Sequence, residues 1–239
     1  MNEPTFMRQE IEEIPDAVAH FLAQSEGLLA TAGQALKRRN PAVVTTIARG
    51  SSDHAAAFLK YAIELTVGVP VASLGPSIVS IYGRELKLDR GVAIAISQSG
   101  KSPDIVALAE ATRRGGALNI AITNTADSPL AAAADFTIDL LAGPERSVAA
   151  TKSFVSSVVA GLTLVAHWAA DEKLMAALAT LPLALKDAIA CDWSALLEAL
   201  DGHQSLYVLG RGPTLAIASE AALKFKETCG IHAEAYSAA

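Results

Sequence analysis

The stretch Val92 to Asp104, VAIAISQSGKSPD, decides how the chain reads. Its first half is an uninterrupted run of β-branched and small apolar residues. Such a run marks a strand covered on both faces in a parallel sheet. It then breaks into Ser97-Gln98-Ser99-Gly100. Gly100 permits a tight turn. Ser102 is a helix-capping residue and Pro103 suits the first helical position. A loop of hydroxyls and amides therefore opens onto a helix N-terminus, where free N–H groups and the helix dipole both favour an anion. The loop has no Walker-type lysine and no G-x-G-x-x-G spacing, so phosphate is a better guess than a nucleotide. Short polar loops are also ordinary connections in α/β units, and the loop alone leaves both readings open.

Outward from this stretch, strand and helix signals alternate. Strands are expected at Val43–Ala48, Val69–Ser73, Val92–Ser97, Ala117–Thr123 and Phe136–Leu140. Helices are expected at Ser52–Val67, Ser77–Gly83, Pro103–Gly115 and Asp127–Ala134. This βαβ order predicts an α/β fold, a doubly wound five-stranded parallel sheet flanked by helices, with ligands at the carboxyl ends of the strands. The loops at Gly50-Ser51-Ser52 and Ser97-Gln98-Ser99-Gly100 both lie at such ends. Before the sheet, Ile11, Ile14, Val18, Phe21, Leu22, Leu28 and Leu29 recur at helical spacing, and Pro15 can open a second helix. After it, a long helix is expected from Thr151 to Ala179, and another from Pro182 to about Leu200.

Composition narrows the function. The 239 residues are 51% hydrophobic, with a formal charge of −6. That charge disfavours a nucleic-acid backbone as partner. The acidic N-terminus has no apolar core of a signal peptide, and Val155–Ala170 is short and hydroxyl-bearing for a membrane span. A cytoplasmic protein with no membrane partner is the expectation. Cys191 and Cys229 make neither a disulfide framework nor a zinc site, and are expected to be buried thiols. The five histidines show no metal-ligand spacing.

A weak internal repeat stands out. Thr45-Thr46-Ile47-Ala48-Arg49-Gly50 precedes one helix, and Tyr207-Val208-Leu209-Gly210-Arg211-Gly212 precedes another. The expected organisation is a helical segment at 1–40, a first α/β domain at 41–180, a linking helix at 181–203, and at 204–239 the beginning of a second, incomplete domain. One strand and one helix cannot cover a sheet on both sides. Leu206, Val208, Leu209, Leu223 and Phe225 are then expected to be exposed and to favour association.

At Gly50-Ser51-Ser52, Ser97-Gln98-Ser99-Gly100, Val148-Ala149-Ala150-Thr151-Lys152 and LGRGPTLAIASEAALKFKETCGIHAEAYSAA (209–239), the chain resembles the double sugar-isomerase (SIS) domain family. Within it, the wording is similar to the SIS-type glucosamine-6-phosphate deaminases and to the isomerase half of the glutamine–fructose-6-phosphate aminotransferases. The sequence does not open on Met-Cys or an amidotransferase segment, so the resemblance leans to ammonia release. It implies a sugar-phosphate substrate, no cofactor and a homodimer. The alternatives are the isomerase part of an aminotransferase, a non-catalytic sugar-phosphate module, or a piece inactive by itself.

The resemblance also implies roles. Ser97, Gln98, Ser99 and Ser102 would hold phosphate, and Ser52 would touch the sugar. Val148 would supply a backbone contact. Glu227 would move a proton between C1 and C2, with Lys224 and Glu220 as its polar partners. Ala150 stands where the synthases usually have a hydroxyl, and Arg49 and Lys101 also depart from their pattern. The family's ring-opening His and Schiff-base Lys match no position here, and His232 matches a different, structural histidine.

From spacing alone, Lys224 and Glu227 read first as an i,i+3 surface ion pair, and it is the resemblance that turns the reading to catalysis. Asp53 reads as a helix-dipole partner, and His54 as packing or capping. Thr151-Lys152 reads as either a helix start or part of the pocket. Glu10, Glu12 and Glu13 read as a solvated acidic face.

Overall fold

The computed structural model describes residues 4–238, so Met1–Glu3 and Ala239 of the two terminal segments lie outside the described residues. Two N-terminal helices, α1 (Phe6–Glu12) and α2 (Ile14–Arg39), meet at Glu13, with Pro15 in the first turn of α2. Then follow β1 (Val44–Ile47), α3 (Ser51–Thr66), β2 (Val71–Ser73), α4 (Ser77–Ser80), β3 (Val92–Ile96), α5 (Pro103–Arg114), β4 (Leu118–Thr123), α6 (Pro129–Ala132) and β5 (Phe136–Asp139). The five strands form one parallel sheet in the order β2-β1-β3-β4-β5.

The strand pattern explains the layers. Side chains alternate between faces along a strand. Val92, Ile94 and Ile96 of β3 join the core formed with α2, α3 and α7 (Lys152–Ala169). Ala93 and Ala95 face the other way and pack with Ile105 and Leu108 of α5. The bulky residues thus serve one helix layer, and the alanines let α5 approach closely on the other. The crossover through α3 lies on one face and that through α5 on the opposite face. The winding therefore reverses between β1 and β3, and the loops leaving these adjacent strands diverge to open a crevice.

The C-terminal third departs from expectation. The helix expected over Thr151–Ala179 is two helices, α7 and α8 (Glu172–Ile189). Ala170 adopts a left-handed conformation (φ 54°), and the Asp171 side chain caps α8 by accepting from Leu174 N–H at 3.0 Å. Pro182 opens no helix; it lies inside α8, whose one buried residue is Leu178. A separate short helix, α9 (Ser194–Leu200), completes the link. Both cysteines are exposed, not buried, because Cys191 follows α8 and Cys229 ends a solvent-facing turn.

Next come β6 (Ser205–Gly210), α10 (Pro213–Lys224), a π-helical turn (Phe225–Cys229) and β7 (His232–Ser237). β7 was not anticipated. It pairs in parallel with β6, from Ser205 opposite His232 to Gly210 opposite Ser237. A βαβ unit is therefore present where a strand and a helix were expected. Of the five apolar residues expected at its surface, Leu209 is exposed, and Leu206, Val208, Leu223 and Phe225 are half-buried.

Candidate functional site

Both copies of the Arg-Gly repeat fold alike. Gly50 (φ 57°, ψ −136°) caps α3, and Gly212 (φ 59°, ψ −132°) caps α10. A positive φ with this ψ is glycine territory, so the shared Arg-Gly is a backbone requirement of the strand-to-helix turn. The two helices pack against each other in opposite directions. The first turn of α3 meets the last turn of α10, and polar side chains fill that contact.

His54 Nδ1 lies 2.8 Å from Glu220 Oε2. Lys224 Nζ donates to Ser51 Oγ at 3.2 Å and to Glu227 Oε2 at 2.7 Å. The second Glu220 oxygen, Oε1, is 3.3 Å from Lys224 Nζ, at ion-pair distance but without hydrogen-bond alignment. Burial alone would push the Glu220 carboxyl up. The hydrogen bond from His54, the Lys224 charge and Ser51 outweigh that and hold it below the usual carboxylate range. Burial pushes the neighbouring Asp53 up, with His54 opposing. Glu220 is thus a fixed anion that holds Lys224, and Lys224 presents its remaining valence to Glu227. Glu227 sits in the π-turn, a geometry frequent at functional sites.

The second part of the site is the loop after β3. Ser97 is buried, and its Oγ accepts from Gly100 N–H at 3.2 Å. Ser99 Oγ accepts from Lys101 N–H at 3.3 Å. The Gln98 carbonyl accepts from Asn124 N–H at 3.0 Å and from Thr123 Oγ at 3.2 Å, which ties the loop to the end of β4. Gly100 has φ 60°, and a Cβ there would lie 2.1 Å from Ser128 Oγ. Ser102 is the N-cap residue of α5, but its hydroxyl makes no capping hydrogen bond. It is free to meet a ligand at the helix N-terminus.

The predicted residues thus fall into two groups. Ser97, Gln98, Ser99 and Ser102 form one; Glu220, Lys224 and Glu227 form the other. No hydrogen bond or ion pair among the described residues joins them directly. Ser52 lies on the first turn of α3, next to Ser51. Arg49, at the end of β1, pairs with Asp104 of α5 at 3.1 Å and braces the two loops across the crevice. Val148 is exposed and shares a cleft of about 360 Å3 with Glu227, Phe6, Met7 and Arg146.

Three readings change. His54 neither packs nor caps; it pairs with Glu220, and the i,i+3 spacing of Ser51 and His54 opposite the i,i+4 spacing of Glu220 and Lys224 was the available signal. Lys152 is buried and donates to Glu13 and to the Pro144 carbonyl (2.9 Å), so it is a strut and not part of the pocket. The acidic face is not solvated throughout. Glu12 is exposed and pairs with Arg8, but Glu10 is buried among donors of the 146–147 loop. Among the described residues there is no cluster of metal ligands, and no single helix is long and apolar enough to cross a membrane.

A sequence profile of the SIS domain matches residues 39–167. The chain is 35% identical to a glutamine–fructose-6-phosphate aminotransferase from Symbiobacterium thermophilum, over 98% of this chain and 41% of that protein. The chain thus spans about two fifths of the length of the curated relatives it matches. A crystal structure from Silicibacter pomeroyi DSS-3, assigned as a phosphosugar isomerase, is 54% identical with a TM-score of 0.95, over 98% of this chain and 72% of that one. The C-terminal domain of the glucosamine-fructose-6-phosphate aminotransferase from Francisella tularensis is 28% identical with a TM-score of 0.81, over 99% and 70% of the two chains.

Proposed function

The chain belongs to the SIS domain family, and on that premise we propose that it binds a sugar phosphate and moves a proton between adjacent carbons of the open-chain sugar. The observation that carries this reading is the Lys224–Glu227 pair, held by Glu220 and Ser51 at the head of α3. A carboxylate fixed by a lysine beside a phosphate-binding crevice is suited to general base and then general acid work.

In the finer form of the proposal the substrate is glucosamine 6-phosphate. Ser97, Gln98, Ser99 and Ser102 hold its phosphate at the N-terminus of α5. Ser52 and the Val148 backbone flank the sugar. Glu227 takes the proton from C2 of the open-chain aldose and delivers a proton to C1, while O1 gains a proton and the amine nitrogen loses one, leaving an imine at C2. Water adds to that imine and ammonia leaves, giving fructose 6-phosphate. Lys224 steers the carboxylate through both transfers. The protonated Glu227 exchanges with solvent between the two transfers, so the proton delivered to C1 comes from solvent, and no outside oxidant or reductant is needed.

A second reading is favoured by the 35% identity to an aminotransferase. There the same proton shuttle serves the isomerase part of a glutamine-dependent enzyme. Ammonia release from glucosamine 6-phosphate, measured with and without glutamine, separates the two. Release without glutamine supports the deaminase reading. Amino-sugar formation from fructose 6-phosphate with glutamine, or with ammonia supplied directly, supports the second. Binding of the sugar phosphate without either reaction makes the chain a binding module. A second copy of the chain is proposed as partner, and light scattering at the assay concentration tests it.

A further inference from the structure

The cleft beside Glu227 has a wall whose support comes from the far end of the sequence. Arg146–Ala149 form that wall, and the start of α1 lies across it. Glu10 of α1 is buried, and both its carboxylate oxygens are used. They accept from the Arg146 and Ser147 amides and from the Ser147 hydroxyl, the Ser147 amide lying 3.2 Å from Oε1 and 3.3 Å from Oε2. Ser147 Oγ also lies 3.1 Å from the Ala149 carbonyl, which shares the same hydroxyl proton with Glu10 and brackets the turn at Val148. One turn on, Glu13 receives Lys152, which also holds the Pro144 carbonyl. The wall and the segment that leads into it are thus both fastened to one junction between two helices.

This pattern is more than a surface contact. A buried carboxylate is costly unless its oxygens are satisfied, and here backbone amides and a hydroxyl satisfy them. Arg146 then lies over the Phe6 ring at 5.7 Å from its centroid, so α1 also covers the outer side of the loop. The loop carries no strand or helix of its own between β5 and α7. Without Glu10, the two amides have no acceptor and the Val148 turn has no fixed direction.

We propose that Glu10 is a positioning residue: it fixes the Arg146–Val148 wall of the cleft that contains Glu227, and so sets how the sugar sits against that carboxylate. The second half of this statement rests on the function proposed above. Glu10 touches no reacting atom and acts through the backbone it holds. The lowered pKa of its carboxyl accords with this, since burial would raise it and the donors from Ser147 and Arg146, with the Lys152 charge, overcome that.

The test uses the full chain with Glu10→Gln, Ser147→Ala and, as control, Glu12→Gln on the exposed face of α1. Hydrogen exchange at the Arg146 and Ser147 amides reads the wall directly. Glu10→Gln is expected to speed exchange there by about tenfold while β3 and α7 keep their protection. Ser147→Ala should give a smaller change at the same amides, and Glu12→Gln none. In the ammonia-release assay, Glu10→Gln is expected to raise KM about three- to tenfold with kcat within about twofold, the mark of lost ground-state and transition-state binding alike.

Unchanged exchange at both amides overturns the proposal. Faster exchange with unchanged KM overturns its second half. If Glu10→Gln loosens the whole chain, Ser147→Ala, which leaves the carboxylate in place, decides by the same two readings. If the wild-type chain neither turns over nor binds glucosamine 6-phosphate, the proposed function fails, and the exchange measurement alone still decides whether Glu10 holds the wall.

Discussion

In the β1–α3–β2 unit every residue of the strand Val44–Ile47 is buried, whereas in the β6–α10–β7 unit the strand Ser205–Gly210 alternates between exposed and half-buried until Gly210. The two units share the Arg-Gly turn, the glycine conformation and the parallel pairing of their strands. They differ in what lies beside and beneath them. β1 has a strand on each side and helices on both faces. β6 has β7 on one side, and Tyr207, Leu209 and Tyr236 stand exposed, the two rings meeting edge to face at 5.6 Å. Local sequence sets the turn and the hydrogen-bonding pattern; burial comes from the neighbours. The helices divide the work in the same way. α3 contributes Ser51 and His54, α10 contributes Glu220 and Lys224, and neither set is complete alone.

The widest gap between the units is expected in core energetics. Ile94→Ala, in the sheet beside β1, should cost about 2–5 kcal/mol, because the cavity cannot collapse under α2 and α7. Leu209→Ala, at 68% exposure, should stay within about 0.5 kcal/mol. Urea unfolding of both variants measures this, and equal losses would break the contrast.

The shared turn gives a sharper and smaller test. A Cβ at Gly50 or Gly212 meets no atom within 4 Å. Gly50→Ala and Gly212→Ala therefore pay for backbone strain alone, about 1–3 kcal/mol each. Comparable losses support one turn geometry used twice. A free substitution at either position would show that its glycine is not required.

Much of this comparison is legible in the sequence, and the reasons differ from place to place. VAIAI reads as a doubly covered strand because no polar residue interrupts it. The loop after it reads as an anion site because Gly, Ser and Pro fall where turn, cap and first helical turn need them. The break at Ala170 is hidden, since alanine is a helix former and only the Asp171 cap marks the boundary. Pro182 misleads for the converse reason: α8 is largely solvent-exposed, and a missing N–H costs less there than in a packed helix. Glu10 is the clearest case. Its neighbours Glu12 and Glu13 make it look solvated, but its partners lie 136 and 137 positions away. Local pattern carries no trace of such a contact. The Lys224–Glu227 spacing was visible, but spacing does not distinguish a surface pair from one organised by Glu220 and His54 across two helices.

The contact between the units is also expected to depend on pH. Glu220 is held below the usual carboxylate range, reference value 4.5, in the folded chain. Its ionised form therefore adds stability above that reference value, and the contribution is lost as pH falls through the lower folded value. The stability difference between wild type and Glu220→Gln should be full at neutral pH and shrink once pH drops below about 4.5. A difference independent of pH would mean that the α3–α10 contact does not rest on the charge of Glu220.

The central claim is that Glu227, steered by Lys224, moves a proton between C2 and C1 of a bound sugar phosphate. Solvent-deuterium incorporation at C1 of fructose 6-phosphate, followed by NMR in D2O, tests it most directly. Wild type is predicted to incorporate deuterium, and Glu227→Gln to lose about a hundredfold or more of that rate while still binding the sugar phosphate. Equal incorporation by Glu227→Gln and wild type, or binding by wild type with no incorporation, would contradict the account.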